Sequence, residues 1–417
     1  MSDDSAPPFK EGVILFSQGD TQYFLFQILG EGRNGERILY AQPHTPAGIQ
    51  GKVLVKYVPR PSGDVLPERY RLARIRLEEE VRLARFLQHP NIAHVHGLFE
   101  INHGLCLVSE SVGGFTLDSL LAMAQARGRY FSESFCLYVF AEVASALAYA
   151  HSRADDAGIP LHIVNRDVNP SRIRLMPRGG VMLTDFGVAL SRMAGRVATS
   201  LPRPKGDVIY SAPELLLGEA VDGRADLFSL GLTLLEFATG RHLYDPGTLM
   251  MGDLDRRMTS DERRRLLAAT EFSIDAGMSS VAEDAIHWAM AFRPDDVELA
   301  LLGLSESLCS ILRKLLQRRQ GERFETATEL EVALRSRLAA LGPYAPADAV
   351  KEVERALSDA GDAMEELNLM DDEGGFIPAD WRAYSEDVET QPEARNEDEL
   401  TTNPRPVRRW TSKLPTA

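Results

Sequence analysis

The sequence predicts an α+β protein of two lobes, in which a small β-rich lobe precedes a larger helical lobe. Strand-like segments fill the first part of the chain, and long helical patterns dominate from Leu117 onward. Strands that come first and helices that come second are typical of α+β proteins, in contrast to the alternation of α/β folds. The length of 417 residues and an apolar share of 44% allow a large buried core.

The small lobe is predicted to be a sheet with one main helix. Residues 13–29 are rich in Phe, Tyr and aliphatic side chains, as strands are. Residues 69–88 place apolar side chains at helical spacing among Arg and Glu, which predicts a helix. The other predicted strands lie around residues 38–40, 52–56, 95–99 and 105–109.

The chain is predicted to consist of an N-terminal extension, a folded domain and an acidic tail. Their bounds are residues 1–19, 20–342 and 343–417, with the small lobe at about 20–109 and the large lobe at about 113–342. In the tail, residues 346–368 suit one acidic amphipathic helix. Beyond residue 370, acids, Gly and Pro dominate, which predicts disorder.

Composition narrows the classes of partner and the location. The formal net charge of −15 argues against nucleic acid or an anionic membrane surface as the main partner. Cys106, Cys136 and Cys309 lie far apart without metal-ligand spacing, which predicts reduced thiols in a cytoplasmic protein. The most apolar run, residues 135–150, contains Glu142 and predicts a buried core helix, so no membrane span is expected.

A glycine-rich segment follows the first long strand, with Gly30, Gly32 and Gly35 at G-x-G-x-x-G spacing. Glycines also mark any tight hairpin, so the spacing alone favours an ordinary turn. A dinucleotide fold would place the motif between a strand and a helix, whereas strands flank it here on both sides. Such a hairpin lets backbone N–H groups approach phosphates, which makes the segment a candidate nucleotide lid.

Lys56 ends a Val-Leu-Val-Lys strand, from which a lysine can reach the α- and β-phosphates of a nucleotide. An exposed surface lysine is the common alternative at such a position, and Lys52 competes by spacing. The Val-x-Val-Lys pattern favours Lys56, whose partner would be an acid on the following helix.

Further motifs occur in a fixed order along the chain. Residues 89–92 read His-Pro-Asn-Ile, residues 164–172 read Val-Asn-Arg-Asp-Val-Asn-Pro-Ser-Arg, and residues 184–187 read Thr-Asp-Phe-Gly. Ala-Pro-Glu follows at 212–214, Asp-Leu-Phe-Ser-Leu-Gly at 226–231 and Arg-Phe at 323–324. Together with the glycine segment and Lys56, these motifs resemble those of bacterial eukaryotic-like (Hanks-type) serine/threonine protein kinases, over roughly residues 23–341.

The resemblance implies a bilobal protein-kinase fold, with ATP in the cleft between the lobes and Mg²⁺ at Asp185. It implies that Asp167 orients the hydroxyl of a protein Ser or Thr. The family's distance from residues 89–92 selects Glu80 as the partner of Lys56. The other residues implied to contact ATP are the three glycines and the hinge residues Glu110 and Val112, with Ser109 as a small gatekeeper.

The resemblance also implies structural roles in the large lobe. Glu214 would pair with Arg323 in a buried ion pair, and Asp226 would hold the backbone of the catalytic loop. Phe186 and Gly187 would complete the metal-binding segment.

Regulation is implied for the segment between Gly187 and Ala212. Arg166, next to Asp167, would receive a phosphate there, and Thr199 or Ser200 is the better candidate for the modified residue. A solvated loop with incidental hydroxyls is an equally good interpretation.

Three departures from the family pattern are expected to weaken catalysis, and they favour the alternative of a pseudokinase. Asn165 replaces a His that packs beneath the Phe of the metal-binding segment, so a weaker internal spine is expected. Asn169 replaces a Lys, and a lost transition-state stabiliser costs about 10²–10³ in rate by analogy with oxyanion donors. Asp207 stands where a Thr is usual and adds negative charge close to Asp167.

Arg172 is the most serious departure, because it occupies the position of an Asn that binds a second Mg²⁺. Unit charges ~5 Å apart interact by roughly 3 kcal/mol at an effective dielectric constant of ~20, so Arg172 would repel a divalent ion. It could instead hold Asp185, bind the ATP phosphates directly, or swing outward. One Mg²⁺ site is therefore expected, and a second is not.

The preferred prediction is a serine/threonine protein kinase of low activity that transfers the γ-phosphoryl group of ATP. The close alternative is a pseudokinase that binds nucleotide, or nothing, and acts as a signalling scaffold. A small-molecule kinase is less favoured, because Ala-Pro-Glu at 212–214 is typical of protein kinases. The partner would be a protein, as substrate or signalling partner, and the sequence indicates no particular oligomeric state.

Overall fold

The computed structural model describes residues 11–31, 36–60, 68–193, 207–244, 256–275 and 280–360. These residues form a small lobe of antiparallel strands and a large lobe of helices, so the predicted bilobal α+β arrangement is confirmed. The strands are β1 (Ile14–Gln18), β2 (Thr21–Glu31), β3 (Arg37–Thr45), β4 (Gly48–Ile49), β5 (Val53–Pro59), β6 (Val95–Ile101), β7 (Gly104–Glu110), β8 (Phe115–Thr116), β9 (Ile173–Leu175) and β10 (Val181–Leu183). The helices are α1 (Glu68–Ala84), α2 (Leu117–Ala126), α3 (Glu133–His151), α4 (Pro213–Leu216), α5 (Arg224–Thr239), α6 (Ser260–Asp275), α7 (Ser280–Ala291), α8 (Pro294–Ala300), α9 (Glu306–Leu315), α10 (Ala327–Leu341) and α11 (Pro346–Ala360).

The sheet of the small lobe runs in the order β1-β2-β3-β5-β7-β6, with β4 paired to β3. Strand alternation in β5 separates two faces. Val53, Val55 and Tyr57 enter a core formed with the neighbouring strands, whereas Val58 packs with residues of α1. Lys56, two residues before Val58, therefore lies on the face that α1 covers.

The helix α3 runs through the core of the large lobe. Its start is capped by Ser132, whose hydroxyl accepts a hydrogen bond from the N–H of Phe135. The helices α10 and α5 pack against it, and most of its side chains are buried. The buried core helix predicted at residues 135–150 is confirmed. By length and composition α3 could also cross a membrane, but 67% of its apolar window is buried inside the protein, as in a core helix.

A three-stranded sheet runs in the order β10-β9-β8 and contacts the large-lobe helices α2 and α3. Ile173 and Leu175 of β9 are fully buried in the large-lobe core. The sheet follows the catalytic loop directly, because β9 begins after a 3-10 turn at Pro170–Arg172. It thus connects the candidate site to the core.

The predicted tail begins with a helix that packs on the large lobe. Within the range 346–368 the structure describes α11 as Pro346–Ala360, with Val353 buried in the large-lobe core. Its Glu352 accepts hydrogen bonds from both the N–H (2.6 Å) and the hydroxyl (2.9 Å) of Ser132. The packed core therefore extends past residue 342, and the disorder predicted beyond residue 370 falls outside the described residues.

Candidate active site

The cleft between the lobes contains a largely buried cluster of Lys56, Glu80 and Asp185. The Nζ of Lys56 lies 2.9 Å from a carboxylate oxygen of Glu80 on α1 and 2.9 Å from Oδ1 of Asp185. The structure thus brings Lys56 together with Glu80, 24 positions later in the sequence, and with Asp185, 129 positions later. Lys52 lies elsewhere, with its Nζ over the ring of Phe26 at 3.7 Å, so Lys56 is the lysine of the cleft.

The charges within this cluster favour the charged forms of Lys56 and Asp185 but not that of Glu80. Burial by itself would raise the pKa of Asp185, but the charges of Lys56 and Arg172 overcome it and hold that pKa well below its usual range. Burial would lower the pKa of Lys56, and the two carboxylates raise it instead. Burial raises the pKa of Glu80, because Lys56 is shared with Asp185 and offsets the burial incompletely.

Gly187 permits the close approach of Asp185 to Glu80. Its N–H donates to Oδ1 of Asp185 at 2.9 Å. A Cβ at this position would lie 2.7 Å from a carboxylate oxygen of Glu80, so a side chain there would displace the acid from Lys56. The neighbouring Phe186 is buried in the large-lobe core.

The backbone of the catalytic loop is held by Asp226 of α5. Its two carboxylate oxygens accept the N–H groups of Asn165 and Arg166, each at 2.8 Å. His151, at the end of α3, lies 2.8 Å from the same carboxylate. Arg166 has a φ of +65°, a left-handed conformation that costs free energy in a non-glycine residue. The hydrogen bonds to Asp226 stabilise this conformation, and the loop is thereby fixed.

Asp167 is buried, and each of its carboxylate oxygens accepts hydrogen bonds. Oδ1 accepts from the amide of Asn169 at 2.8 Å and from the backbone N–H of Asp207 at 2.8 Å. Oδ2 accepts from Nε of Arg172 at 2.9 Å. The amide of Asn169 is therefore used to orient Asp167. Asp207 contributes a backbone N–H donor here, in addition to the negative charge that the sequence predicts.

Arg172 lies between the two aspartates of the site. Its Nε contacts Asp167 at 2.9 Å, and its terminal NH2 nitrogen lies 3.5 Å from Oδ2 of Asp185. Of the three positions that the sequence leaves open, the structure shows the one in which Arg172 holds Asp185, with Asp167 as a second partner.

Mg²⁺ fits this arrangement only in part. The ion prefers near-octahedral oxygen ligands at about 2.0–2.1 Å. Asp185 supplies carboxylate oxygens, but Lys56 and Arg172 both contact them, and the position five residues after Asp167 carries a cation. In the described part of the chain no group of three or more His, Cys, Asp and Glu could hold a metal. One ion could bind at Asp185 if Arg172 turned away.

Asn165 links the loop of residues 164–172 to the segment of residues 184–187. Its side-chain carbonyl accepts the N–H of Asp167 at 2.9 Å, and its amide donates to the backbone carbonyl of Asp185 at 3.1 Å. The residue is fully buried. Asp185 itself has a φ of +63°, so this hydrogen bond helps to hold a strained backbone.

Of the predicted ATP-contacting residues outside this cluster, the structure describes Gly30, Glu110 and Val112. Glu110 ends β7, and its N–H donates to the carbonyl of His94 at 2.7 Å. Val112 is buried two residues later. Gly30 lies at the end of β2 with a φ of +144°, which glycine adopts readily. Gly32 and Gly35 fall outside the described residues.

The predicted large-lobe pair is present. Both terminal nitrogens of Arg323 contact the carboxylate of Glu214, at 2.6 and 2.8 Å, in a buried bidentate arrangement. Arg166 donates from Nε to the backbone carbonyl of Val188 at 3.0 Å. Thr199 and Ser200 lie outside the described residues, so the proposed phosphate acceptors have no structural description.

Sequence reasoning does not single out His151 or Arg174. His151 belongs to no sequence motif, because its contact with Asp226 depends on where α3 ends relative to α5. Arg174 could have been found from strand alternation, since it is a charged residue between Ile173 and Leu175, two apolar residues that enter the core.

The fold and this cluster define a domain with the architecture and site of the kinases. The protein kinase domain family matches residues 23–332, and the chain belongs to that family.

Individual relatives carry kinase names with different specificities. The chain is 32% identical over 236 residues to tyrosine-protein kinase MasK of Myxococcus xanthus and 33% identical over 230 residues to serine/threonine-protein kinase PknJ of Mycobacterium tuberculosis. These matches cover 56% and 54% of this chain and 35% of each relative. It is also 30% identical to serine/threonine-protein kinase 36 of Pongo abelii, over 52% of this chain and 15% of the relative. The chain thus spans 35% or less of the length of these curated relatives.

Proposed function

We propose that the chain is an ATP-binding serine/threonine protein kinase of low activity, with Asp167 as the residue that orients the substrate hydroxyl. The observation that carries this proposal is the connected cluster in which Lys56 pairs with both Glu80 and Asp185. Phosphoryl transfer depends mainly on positioning and charge neutralisation, and this cluster supplies both. Two of the relatives described above are named as serine/threonine kinases.

Low activity follows from the position of Arg172. Its Nε donates a hydrogen bond to Oδ2 of Asp167, and this carboxylate would otherwise accept the substrate hydroxyl. Arg172 must withdraw before the hydroxyl can bind. A hydrogen bond to a charged group contributes about 1.5–3 kcal/mol, so the open state would be populated about 10- to 160-fold less than the closed state.

The absence of a cationic side chain at Asn169 lowers the expected activity further. A cation at this position would neutralise charge on the transferred group, whereas the amide of Asn169 donates to Asp167 instead. The bound metal would supply the remaining neutralisation, with Asp185 as its ligand. Lys56 would contact the α- and β-phosphates, because Glu80 and Asp185 hold its Nζ inside the cleft.

A pseudokinase is the second candidate, and the contact of Arg172 with both aspartates favours it specifically. In that case the guanidinium replaces a metal as the cation of the site. The domain would act by presenting one conformation to a partner protein, and any nucleotide would serve to stabilise that conformation.

The deciding experiment is radiolabelled phosphoryl transfer from ATP, with Mg²⁺ or Mn²⁺, to the protein itself and to a generic protein substrate. Wild type would be compared with Asp185→Asn, Arg172→Asn and the control Arg178→Asn, an exposed arginine of the β9–β10 turn. Label in wild type that is lost in Asp185→Asn supports the kinase, and Arg172→Asn should then raise the rate. Activity only in Arg172→Asn supports a pseudokinase disabled mainly at one residue. Silence in all variants removes the kinase proposal.

Residue specificity needs a separate measurement, because the relatives include both tyrosine and serine/threonine kinases by name. Acid hydrolysis of the labelled protein, followed by separation of phosphoamino acids, should give phosphoserine and phosphothreonine. Phosphotyrosine as the main product would contradict the serine/threonine assignment while leaving the kinase assignment intact.

We further propose a cytoplasmic location. Cys106, Cys136 and Cys309 are buried and free, a state that suits a reducing compartment. Cell fractionation that places the protein in the membrane pellet would contradict this location.

A further inference from the structure

Two histidines lie side by side at the start of β6. The ring centroids of His94 and His96 are 5.1 Å apart, and the ring planes are inclined at 72° to each other. Both residues are exposed. Within the described part of the chain, neither histidine forms a hydrogen bond through a ring nitrogen. The two rings therefore contact each other while their nitrogen lone pairs remain available to a ligand from solution.

The backbone holds the two rings on the same side of the small-lobe sheet. His94 immediately precedes β6, and its carbonyl accepts the N–H of Glu110 at 2.7 Å, so the pairing with β7 already begins there. Residues two apart on a strand share a face and lie ~6.6 Å apart along it. The pairing shifts register between Val95 and Gly97, on either side of His96, and such irregularities bend a strand and redirect its side chains.

The separation of the rings matches that of two imidazoles bound to one metal ion. Zn²⁺ binds imidazole nitrogens at about 2.0–2.1 Å in tetrahedral geometry, which places each ring centroid about 3.2 Å from the ion and the two centroids about 5 Å apart. The observed 5.1 Å between His94 and His96 agrees with this value. The ring torsion of histidine is soft, so both rings can turn a nitrogen toward a shared ion without a change in the backbone.

A carboxylate lies beside the two rings. Glu110 accepts the backbone N–H of His94 at 3.1 Å through one of its carboxylate oxygens. Partial burial and the neighbouring His94 lower the pKa of His96, and the carboxylate of Glu110 opposes them. The imidazole of His96 is therefore neutral near pH 7, which is the state that binds a metal. The negative charge of Glu110 favours a cation at this position.

The pair supplies two protein ligands, and water would complete the coordination. No group of three or more His, Cys, Asp and Glu among the described residues could hold a metal, so Glu110 contributes its charge and not a ligand atom. His94 and Glu110 also line a surface groove, through which an ion can enter and leave. Imidazole nitrogens suit Zn²⁺, Cu²⁺ and Ni²⁺, whereas Mg²⁺ prefers oxygen. The pair thus differs in metal preference from the carboxylate of Asp185.

We propose that His94 and His96 form an exchangeable binding site for a divalent transition ion, Zn²⁺ or Cu²⁺, next to the predicted hinge residue Glu110. The site is separate from the Mg²⁺ position at Asp185. It requires neither nucleotide binding nor phosphoryl transfer, so it stands or falls independently of the proposed function.

The test is calorimetric titration of the full chain with Zn²⁺ near pH 7, together with electron paramagnetic resonance of the Cu²⁺-loaded protein. Wild type should bind Zn²⁺, and the bound Cu²⁺ should show two nitrogen ligands. His94→Gln and His96→Gln should each weaken Zn²⁺ binding at least about 10-fold and leave one nitrogen ligand on Cu²⁺. The control His103→Gln, an exposed histidine between β6 and β7, should match wild type.

The dependence on pH gives a second readout that a change in folding would not reproduce. Protons compete with the metal for both rings, so Zn²⁺ binding by wild type should weaken as the pH falls below about 6.5. Glu110→Gln should weaken Zn²⁺ binding by less than the loss of either histidine does, because it removes a charge and no ligand atom. Equal melting temperatures without metal would show that the variants are folded.

Three results would overturn the proposal. Zn²⁺ binding of equal strength in wild type and in both histidine variants would show that the ion binds elsewhere. Binding that is lost in Asp185→Asn and kept in His94→Gln would place the ion in the cleft. Wild type that binds neither Zn²⁺ nor Cu²⁺ would show that the two histidines are only solvated side chains.

Discussion

Two arginines of this protein bind buried carboxylates, one in the large lobe and one in the cleft, and their surroundings differ. Arg323 has a side chain that is 0% exposed and contacts both oxygens of Glu214. It also donates to backbone carbonyls, among them that of Gln317 at 2.8 Å. Arg172 is 18% exposed and contacts two different aspartates, at 2.9 and 3.5 Å.

The comparison shows that an arginine–carboxylate pair can either stabilise the fold or exchange its partner for a ligand, depending on its surroundings. A bidentate pair with all its donors satisfied by fixed partners has no alternative arrangement of similar energy. The contacts of Arg172, at 2.9 Å and 3.5 Å, are divided between two partners and open in part to water, so a ligand can replace them. We therefore interpret Glu214–Arg323 as a structural ion pair and Arg172 as a cation whose contacts in the cleft can be exchanged.

The largest expected effect comes from making the same substitution at both arginines. Arg323→Gln should lower the free energy of unfolding by about 3–5 kcal/mol, because it leaves Glu214 buried without its partner. Arg172→Gln should lower it by about 1–2 kcal/mol, since Asp167 keeps its hydrogen bonds from Asn169 and Asp207 and Asp185 is open in part to water. Urea unfolding followed by circular dichroism measures both values. Equal losses at the two positions would show that the two pairs do not differ in kind.

The second prediction tests how tightly the cleft cluster is packed. Gly187→Ala would place a Cβ 2.7 Å from Glu80 and force that acid away from Lys56. We expect a loss of about 1–3 kcal/mol in unfolding free energy, as for overpacked cores, together with weaker nucleotide binding. Gly321→Ala is the control, because a Cβ there meets nothing within 4 Å and the residue lies two positions from Arg323. It should change stability by less than about 0.5 kcal/mol.

One outcome would contradict the prediction for Gly187→Ala. A variant with wild-type stability and wild-type nucleotide affinity would mean that Glu80 can move without loss, so the cluster would be looser than its distances indicate.

The smallest expected effect is a dependence on pH. The pKa of Asp185 is lower in the folded protein than in the unfolded chain, where it is about 3.9. The stability that its charge contributes is therefore present above about pH 4 and is lost as the pH falls through the folded-state pKa. The difference in unfolding free energy between wild type and Asp185→Asn should be largest near pH 7 and should shrink below about pH 4.

Unfolding by urea at a series of pH values, at constant ionic strength, measures this difference. A difference that stays constant from pH 7 to the acid limit of folding would show that the ion pairs of Asp185 contribute no charge-dependent stability.

Much of the fold could be predicted from the sequence because its signals are local. Alternation in β5 places Lys56 opposite Val55, and helical spacing in α1 and α3 identifies the apolar faces. The order of motifs along the chain then led to the family, which the match over residues 23–332 shows. Local periodicity also explains the correct expectation of a buried helix at 135–150.

The contacts of the site could not be read from spacing in the same way. Asp167, Arg172 and Asp185 lie in two separate segments, and the backbone N–H of Asp207 comes from a third. Sequence showed that Arg172 was unusual but left open three directions for its side chain. Which one it takes depends on how these segments are held, by Asp226 in one case and by Asn165 in another.

The sequence by itself determined the class of fold, the identity of the charged residues and the order in which they occur. Only the tertiary structure decided that Arg172 joins two aspartates, that α11 packs on the large lobe, and that the buried Arg174 donates to the carbonyl of Gly114. The physical reason is that side-chain periodicity acts within one element, whereas an ion pair or a buried charge depends on several elements that meet only in the folded chain.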